Sequence, residues 1–481
     1  DNLVHSFSLD LNSRFSDNLS NQFLATYSKL DDLRASNSSE FPFIDILKDG
    51  QAYISLGYEL FTWNNAVHNK VWNVKDDLTY YAGNHKIIGG LSFEHQMADN
   101  QYMRNGTGYY RYDSLDDFLN GGTPEIVCLT YGYNGVGNPA ARVQFNKAGV
   151  YAQDEWTVND RFKLTYGLRL DGLFFDNGDL TTNKAIYELD YFGRHIDTGK
   201  WPSSSLTVSP RVGFTWDVLG DKSLKLRGGS GLFSGRLPLV FFTNMPTNSG
   251  MVQYQAQLNA RTKVYDGKKK QTLMPSYTGP TTTDADGSRY IDMTQFAGGL
   301  VTEGGQASAA ALYNKLASLG YPTTITPEEG TVPSAISGVD PKFKMPQVWK
   351  TSLAVDYSFP VGFPLSMTVE GIFNKTVYGV MLSDWSVPSV DGFARLNGAD
   401  ARPLFPKGFQ RNVSAYMLEN THKGYGWIFN ASVNASPVES LELMAAYTHT
   451  VSKEITGMPG SNASSVLNYM ATVDGPNHVR L

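Results

Sequence analysis

The sequence has little of three features that commonly identify a protein class. Cys128 is the only cysteine in 481 residues, which excludes an intramolecular disulfide and any metal site built from several cysteines. Charged residues make up 18%, below the roughly 25% of typical soluble domains, which disfavours disorder, coiled coils and helical repeats. No segment approaches the roughly 20 consecutive apolar residues of a spanning helix, and the first residues show no secretory signal. The chain is therefore either cytosolic or an interior piece of a processed, longer protein.

Glycine and aromatic residues are abundant instead. The chain contains 46 Gly, 27 Tyr, 26 Phe and 8 Trp, and aromatic residues reach 13%. The mean hydropathy of −0.29 usually indicates a water-soluble protein. A transmembrane β-barrel has an equally low average, because only alternate residues of each strand face lipid. Composition alone therefore leaves both classes open.

Charge and motifs exclude several functions. The net charge is −6, and residues 268–270 are the only run of three basic side chains, so we predict no nucleic acid partner. The glycine cluster at 228–231 lies inside a strand pattern and lacks the residues of a phosphate loop. Asp284, Asp286 and Asp292 resemble half a calcium loop without its final glutamate, and we interpret them as a polar turn. We predict no catalytic residue, no metal site, no cofactor and no enzymatic activity.

Alternation of apolar and polar residues with period two is the clearest pattern, and it predicts strands. In residues 162–171 the apolar set is Phe162, Leu164, Tyr166, Leu168 and Leu170. About 12 such segments occur, and most approach the 9 to 11 residues that a tilted strand needs to cross a bilayer. The segments are residues 3–15, 22–33, 72–80, 86–94, 149–158, 162–171, 207–218, 224–232, 350–359, 365–373, 427–435 and 441–447.

The connections between these segments alternate in length. Every second connection is a short turn rich in Asn, Asp, Gly, Ser or Pro. Such asymmetry is typical of an outer-membrane barrel, with short periplasmic turns and long external loops, whereas a soluble sandwich mixes both at each end. The long loops are predicted at about residues 34–71, 96–147, 172–206, 233–347, 375–421 and 451–476. We therefore predict an all-β, antiparallel transmembrane β-barrel with long extracellular loops.

Three local features need separate interpretation. Residues 52–61 look strand-like, but counting them as spanning would break the alternation of loops, so we assign them to the preceding loop. Asp76 and Asp154 fall on the apolar face, where a charge at mid-bilayer is costly, and we place them at the interface. Residues 305–320 predict a short helix packed over the barrel within the longest loop, the alternative being a disordered insert.

Candidate ligand-binding residues lie in the predicted loops. Aromatic side chains there suit a ligand vestibule, and an arginine among them could pair with an anion. The alternative is that the aromatic side chains pack loop against loop. The candidates are Trp201, Arg236, Phe241, Phe242, Tyr290 and Trp385.

A second set of polar side chains lies on the polar faces of the strands. In a barrel these residues would line the lumen and hydrogen-bond a domain inside it. In a soluble protein they would form the solvated face of a sheet. The set is Lys163, Arg169, Arg211, Arg227 and Glu370.

Four segments resemble a known family. GVYAQDEWTVNDRFKLTYGLRLDG at 149–172 and NHKIIGGLSFEH at 84–95 are similar to the barrel signature of TonB-dependent outer-membrane receptors. SPRVGFTWDVLGDKSLKLRGGSGLF at 209–233 and ENTHKGYGWIFNASV at 419–433 resemble the Oar-like subgroup common in Bacteroidetes. The resemblance implies a 22-stranded barrel in the bacterial outer membrane, an N-terminal plug domain inside it and a short segment that engages TonB.

The chain departs from this family in what can be recognised. No plug, TonB-binding segment or signal peptide is apparent, and residues 478–481 read as the opening of another strand. We therefore expect residues 1–481 to be a fragment of the barrel domain, with the plug and the remaining strands outside this chain. An unclosed sheet of 12 strands leaves two unpaired edges, which hydrocarbon does not tolerate.

The resemblance implies active import of a scarce ligand such as a siderophore, cofactor, oligosaccharide or peptide. The expected partners are outer-membrane lipid and lipopolysaccharide, the TonB complex through the N-terminal region, and a surface lipoprotein or extracellular protein. An alternative is an outer-membrane structural or adhesion protein whose loops bind surface partners. A third reading is a soluble all-β carbohydrate-binding or hydrolytic protein, which would need its apolar strand faces inside a core.

Overall fold

A computed structural model describes residues 1–455, 460 and 462–470. Within these residues, twelve long strands, each antiparallel to the next along the chain, form one continuous sheet. The strands are β1 (Asn2–Arg14), β2 (Leu19–Leu33), β3 (Ala66–Ala82), β4 (His85–Gln101), β5 (Ala140–Asn159), β6 (Phe162–Phe175), β7 (Ser205–Asp217), β8 (Leu224–Ser234), β9 (Gln347–Ser358), β10 (Leu365–Asp384), β11 (Tyr425–Val438) and β12 (Leu441–Lys453).

The apolar residues of the alternating pattern form one face of this sheet, and that face is uncovered. Leu168 and Val212 are 46% and 48% exposed, and neither Leu164 nor Phe214 is buried. We call this side the outward face. Its exposed side chains also include Phe7, Leu9, Trp72, Leu91, Leu206, Leu353, Trp427 and Tyr447.

An apolar surface of this extent identifies the surroundings of the sheet. Monomeric soluble proteins rarely expose contiguous apolar patches beyond a few hundred Å². Here the exposed apolar side chains run from β1 to β12. The outward face therefore matches the lipid-facing band of a transmembrane barrel, and the reading as a soluble all-β protein with enclosed strand faces is wrong.

The sheet has two free edges within the described residues. There, β1 pairs with β2 alone and β12 pairs with β11 alone, so the twelve strands do not close on themselves. Residues 478–481, where the sequence indicates another strand, lie outside the described part of the chain, as does part of the predicted loop 451–476.

Short and long connections alternate along the described chain. Every second connection has two to six residues, and the intervening ones have 29 to 112, so all long connections leave the same end of the sheet. The strands continue further towards that end than the alternation indicated. β3 begins at Ala66 instead of residue 72, β4 ends at Gln101 instead of residue 94, and β10 ends at Asp384 instead of residue 373. The extensions pack against loop segments, so their side chains no longer divide into one lipid face and one water face.

The long connections fold into structure of their own. A five-stranded sheet, a four-stranded sheet and helix α4 (Ala309–Ser318) enclose a core that includes Ile44, Tyr110, Leu129 and Leu312. We call these elements the loop module. The five strands are Phe43–Lys48, Gln51–Leu56, Tyr109–Tyr112, Ile126–Gly132 and Gln253–Asn259, and the four are Lys263–Asp266, Gln271–Thr272, Thr281–Thr283 and Arg289–Ile291.

Helix α4 confirms the helix predicted in residues 305–320. Ser308 begins it, because its side chain accepts a hydrogen bond from the backbone N–H of Ala311. Leu312 and Leu316 are fully buried in the core of the loop module. The alternative of a disordered insert is therefore wrong for this segment. Of the strand-like residues 52–61, residues 52–56 lie in the five-stranded sheet within Gln51–Leu56, and residues 57–61 form a bend and a turn. The segment lies outside the twelve long strands, as assigned.

Smaller elements complete the long connections. Among the described helices, none combines the length and the hydropathy that a bilayer crossing requires. The remaining elements are helices α1 (Leu115–Leu119), α2 (Lys184–Tyr187), α3 (Val240–Thr247) and α5 (Ala463–Tyr469), the 3₁₀ turns Tyr133–Gly135 and Met293–Phe296, and the hairpin Thr302–Glu303 with Gln306–Ala307. The strand Ser414–Thr421 pairs with the end of β10, and the strand Ala335–Val339 pairs in parallel with Ser414–Thr421.

Asp76 and Asp154, the acidic residues that the sequence placed on the apolar face, have polar partners. Asp76 accepts a hydrogen bond from the Asn21 side-chain amide at 2.7 Å. Asp154 lies 2.7 Å from the His85 ring nitrogen and accepts from the Tyr166 hydroxyl at 2.9 Å. These contacts lower the cost of placing a carboxylate on an apolar face, since a buried charge needs hydrogen-bonding partners.

Candidate functional site: a cavity on the inner wall

A cavity of about 470 Å³ lies on the polar face of the sheet, beside the long connections. We call it the wall cavity and its side of the sheet the inward face. Strands β3 to β8 form its floor, and residues 235–240 with helix α3 cover it. A volume of this size is in the range of small-molecule sites. Its lining residues include Asn69, Glu94, Lys147, Asp171, Thr207, Arg236, Leu237, Leu239 and Thr243.

Aromatic side chains hold helix α3 above this cavity. Phe242 is fully buried, and its ring centroid lies 5.4 Å from that of Phe175 and 5.6 Å from that of Phe343. Trp201 packs edge-on against Phe242 at 6.2 Å. Aromatic pairs at such separations add stability beyond the area that they bury. The cluster therefore fixes the cover of the wall cavity to the ends of β5 and β6.

Ion pairs provide most of the charge in the wall cavity. Arg236, whose side chain is 63% exposed, contacts the nearly buried carboxylate of Glu94. Asp171 lies 3.8 Å from the Lys147 ammonium group and accepts three hydrogen bonds from Arg169. Each carboxylate is thereby compensated, as a buried charge requires.

One polar atom of the cavity wall has no partner within the described residues. The side-chain oxygen of Asn69 is buried and accepts no hydrogen bond there. The apolar side chains of Leu237, Leu239 and Phe145 line the same space. The arrangement therefore suits an amphipathic ligand that contributes a hydrogen-bond donor and an apolar body.

The described residues contain no group of three or more His, Cys, Asp or Glu side chains placed to hold a metal ion. Asp292 instead caps the 3₁₀ turn Met293–Phe296, and Asp286 accepts a hydrogen bond from the backbone N–H of Ser288. These contacts are those of turn residues.

The structure brings four of the six candidate ligand-binding residues to the wall cavity region. Arg236 lines the cavity directly. Trp201, Phe241 and Phe242 lie behind its cover in one hydrophobic cluster, and each is at most 8% exposed. Their observed contacts are thus those of loop-against-loop packing, the alternative considered for them.

Trp385 and Tyr290 lie elsewhere. Trp385 is buried in a separate cluster, donates its indole N–H to Glu419 at 2.6 Å and carries the Arg194 guanidinium 4.3 Å from its ring. Tyr290 belongs to the four-stranded sheet of the loop module, where the Lys263 ammonium group lies 5.4 Å from its ring centre. Neither residue lines the wall cavity.

The five predicted lumen-lining residues share the inward face. Register places them on one side, because paired residues of antiparallel strands point the same way. Lys163 pairs with Glu155 at 2.8 Å, and Arg227 contacts both Asp356 at 3.0 Å and Glu370 at 3.2 Å. The remaining two are Arg169, which binds Asp171, and Arg211, which lies 4.6 Å from the Phe233 ring.

Sequence reasoning did not select Glu94, Lys147 or Asp171 as site residues. All three lie on the inward face near the long-connection ends of their strands. The polar half of the alternation already contained Glu94 and Asp171, at the long-connection ends of the predicted strands 86–94 and 162–171. Lys147 lies in the part of β5 that extends beyond the predicted strand 149–158 towards the loops.

Comparisons with known proteins agree with this architecture. A family model described as "Outer membrane beta barrel domain" matches residues 1–480. No curated protein gives a significant match.

Solved structures are similar in fold at low sequence identity. The outer membrane transporter YddB from Escherichia coli is 10% identical, with a TM-score of 0.50 over 94% of this chain and 42% of that one. The copper transporter OprC is 11% identical, with a TM-score of 0.42 over 94% and 47%. The ferric-catecholate import receptor Fiu from Escherichia coli K12 is 9% identical, with a TM-score of 0.38 over 96% and 49%. The chain thus spans less than half the length of these proteins.

Proposed function

The chain belongs to the outer membrane beta barrel domain family, and on that premise we propose that it takes part in TonB-dependent import of a scarce ligand. Its location is the outer membrane. We propose that the long connections face the exterior, that a plug domain and the TonB complex act with the barrel, and that no covalent bond is made or broken. We also propose that the chain belongs to the Oar-like subgroup of Bacteroidetes, which residues 209–233 and 419–433 resemble.

The observation that carries the proposal is the position of the wall cavity. It opens on the inward face at the end of the sheet where all long connections lie. A ligand captured there would stand at the entrance of a path lined by polar residues such as Lys163, Arg211 and Arg227. Such a path hydrates a passing ligand, as the polar interior of outer-membrane barrels does.

Adhesion is the second candidate, and the loop module favours it. A separate core of buried residues makes the long connections rigid enough to present a surface. The two candidates differ in their need for energy. Import depends on TonB and the proton gradient, whereas adhesion requires neither.

We propose to test import with ligand uptake in a strain that lacks the native gene. Growth on a panel of ferric siderophores, cobalamin, oligosaccharides and peptides as limiting sources identifies the ligand. Uptake should return with the wild-type gene and should cease when TonB is deleted. Uptake that persists without TonB, or a deletion strain that grows normally on every source while losing surface attachment, contradicts import.

A matched pair of variants connects uptake to the wall cavity. Thr207 lines the cavity, whereas its neighbour Leu206 is 65% exposed on the outward face. Thr207→Trp should lower uptake at least tenfold because the indole fills the cavity. Leu206→Trp should leave uptake within about twofold, because tryptophan is tolerated on a lipid-facing surface.

A further inference from the structure

A second cavity, of about 420 Å³, lies within the long connections, away from the inward face of the sheet. Residues 253–257 and residues 331–335 both line it, and no backbone hydrogen bond joins these two described segments. We call this cavity the edge groove. The edge groove and the wall cavity share no lining residue, so the two sites are separate.

The strand Gln253–Asn259 is the terminal strand of the five-stranded sheet. Its partner within the described residues is Ile126–Gly132 alone. A terminal strand carries a row of unpaired backbone N–H and C=O groups, which proteins usually cover, shorten or interrupt. This strand is seven residues long and contains no proline.

The hydrogen-bonding phase of this strand can be read from its neighbours. The backbone N–H of Tyr133 donates to the carbonyl of Val252 at 3.5 Å, so Val252 and every second residue after it face the partner strand. Thr130 lies opposite Gln255, yet its N–H donates away from that strand to the Asn105 carbonyl. The backbone groups of Gln253, Gln255 and Gln257 therefore point to the free edge.

The free edge faces the edge groove. Tyr254, Gln255, Ala256 and Gln257 all line the groove, although the side chains of successive strand residues point to opposite faces. With Gln253, five consecutive residues border one space through their common edge. Free N–H and C=O groups thus repeat along the groove at intervals of about 7 Å, twice the rise per strand residue.

Two buried side-chain atoms in the groove also lack partners within the described residues. They are the side-chain nitrogen of Gln253 and the hydroxyl of Tyr321, and each residue is 5% exposed. A buried donor without an acceptor costs about 1–3 kcal/mol. Arg104 is the only charged residue among the described residues that line the groove. The groove therefore favours a polar occupant that is neutral or acidic.

We propose that the edge groove binds an extended peptide segment, which adds to the five-stranded sheet as a further strand beside Gln253–Asn259. An extended backbone presents N–H and C=O groups at the same interval as the free edge, and this main-chain pairing supplies the affinity in strand addition. A saccharide presents hydroxyl groups without that interval. The inference concerns binding alone and does not depend on import.

Binding is measured with the chain in detergent micelles. The probe is a fluorescent octapeptide of alternating threonine and serine with a C-terminal glutamate to pair with Arg104. We expect saturable binding with a Kd on the order of 100 μM, since main-chain pairing tolerates many sequences. The same peptide N-methylated at every residue has no backbone donor left on either edge and should bind at least tenfold more weakly. Equal binding of the methylated peptide overturns the proposal.

Two variants at one position separate backbone from side chain. Gln255→Pro removes a backbone donor of the free edge without taking one from the ladder, and edge strands accept proline. It should weaken binding at least tenfold, whereas Gln255→Ala should change it less than twofold. Thermal unfolding should be the same for both variants. Equal losses in the two variants, or displacement of the peptide by maltohexaose, would show side-chain recognition or a saccharide site and would reject strand addition.

Discussion

At the residue scale, the ion pair of the wall cavity is asymmetric. The Arg236 side chain is largely exposed, whereas the Glu94 carboxylate is 9% exposed. Removal of the arginine leaves a buried carboxylate without its partner, which costs about 1–3 kcal/mol. Removal of the negative charge leaves an arginine that water still solvates, which costs less than about 1 kcal/mol.

We therefore predict that Arg236→Ala lowers the free energy of unfolding more than Glu94→Gln does. Urea unfolding in detergent micelles measures both values. Lys163→Ala is the control, because its exposed pair with Glu155 should contribute less than about 1 kcal/mol. Equal costs for the two cavity variants would mean that Glu94 is solvated in the folded protein.

The single cysteine gives a second residue-scale prediction. Cys128 is buried in the loop module, and burial raises the pKa of its thiol to about 12. The thiolate is the reactive form, so a raised pKa and burial both protect the thiol from alkylation. Iodoacetamide at about pH 8 should label the folded chain at least 100-fold more slowly than the urea-unfolded chain. Rapid labelling of the folded chain would show that the loop module opens readily.

At the element scale, two glycines of the longest connection have similar backbone conformations but differ in the space around them. Gly320 ends helix α4 with a φ of +85°, and a Cβ at this position would collide with the carbonyl oxygen of Ser276. Gly305 has a similar φ of +79° but has open space where a Cβ would stand. The two positions separate the cost of a left-handed backbone from the cost of a collision.

We predict that Gly305→Ala costs about 1 kcal/mol and that Gly320→Ala costs about 3 kcal/mol, because the second adds overpacking to the same strain. Hydrogen exchange of Gln253–Asn259 and of helix α4 reports the local loss. Exchange in β6 and β7 should not change. Equal effects of the two substitutions would contradict the collision with Ser276.

At the scale of the whole molecule, the two faces of the sheet meet different solvents. Leu353 and Ser352 are neighbours on β9, and Leu353 is 53% exposed on the outward face while Ser352 borders the inward face. Leu353→Lys should destabilise the chain in lipid vesicles by about 2–4 kcal/mol. Ser352→Lys should cost less than about 1 kcal/mol, because polar groups and water surround it. Equal costs in vesicles would mean that the outward face does not meet lipid.

The buried apolar residues of the molecule lie mostly outside the middle of its main sheet. The three buried clusters lie mainly in the long connections and the strand ends that adjoin them, whereas the middle of the sheet contributes few buried apolar residues. The sheet depends on lipid to cover its apolar face, and the loop module depends on its own packing. Damage to the loop module should therefore leave the long strands paired.

Much of the fold could be predicted from the sequence. Alternation in segments such as residues 162–171 predicted twelve long strands, and helical spacing in residues 305–320 predicted helix α4. Both patterns are local. A strand with one side against an apolar environment repeats apolar residues every two positions, and a helix repeats them about every 3.6 positions. The site was predicted less well. Arg236 reaches the wall cavity, but Trp385 and Tyr290 do not.

The sequence by itself determined which residues face lipid and which face the interior of the sheet, because a strand has only two sides and its side chains alternate between them. Only the tertiary structure decided which loop residues meet. Glu94 and Arg236 are 142 residues apart, and the strand Gln253–Asn259 pairs with Ile126–Gly132 across a similar span. Contacts of this kind leave no local period in the sequence, since they depend on how whole connections pack against one another.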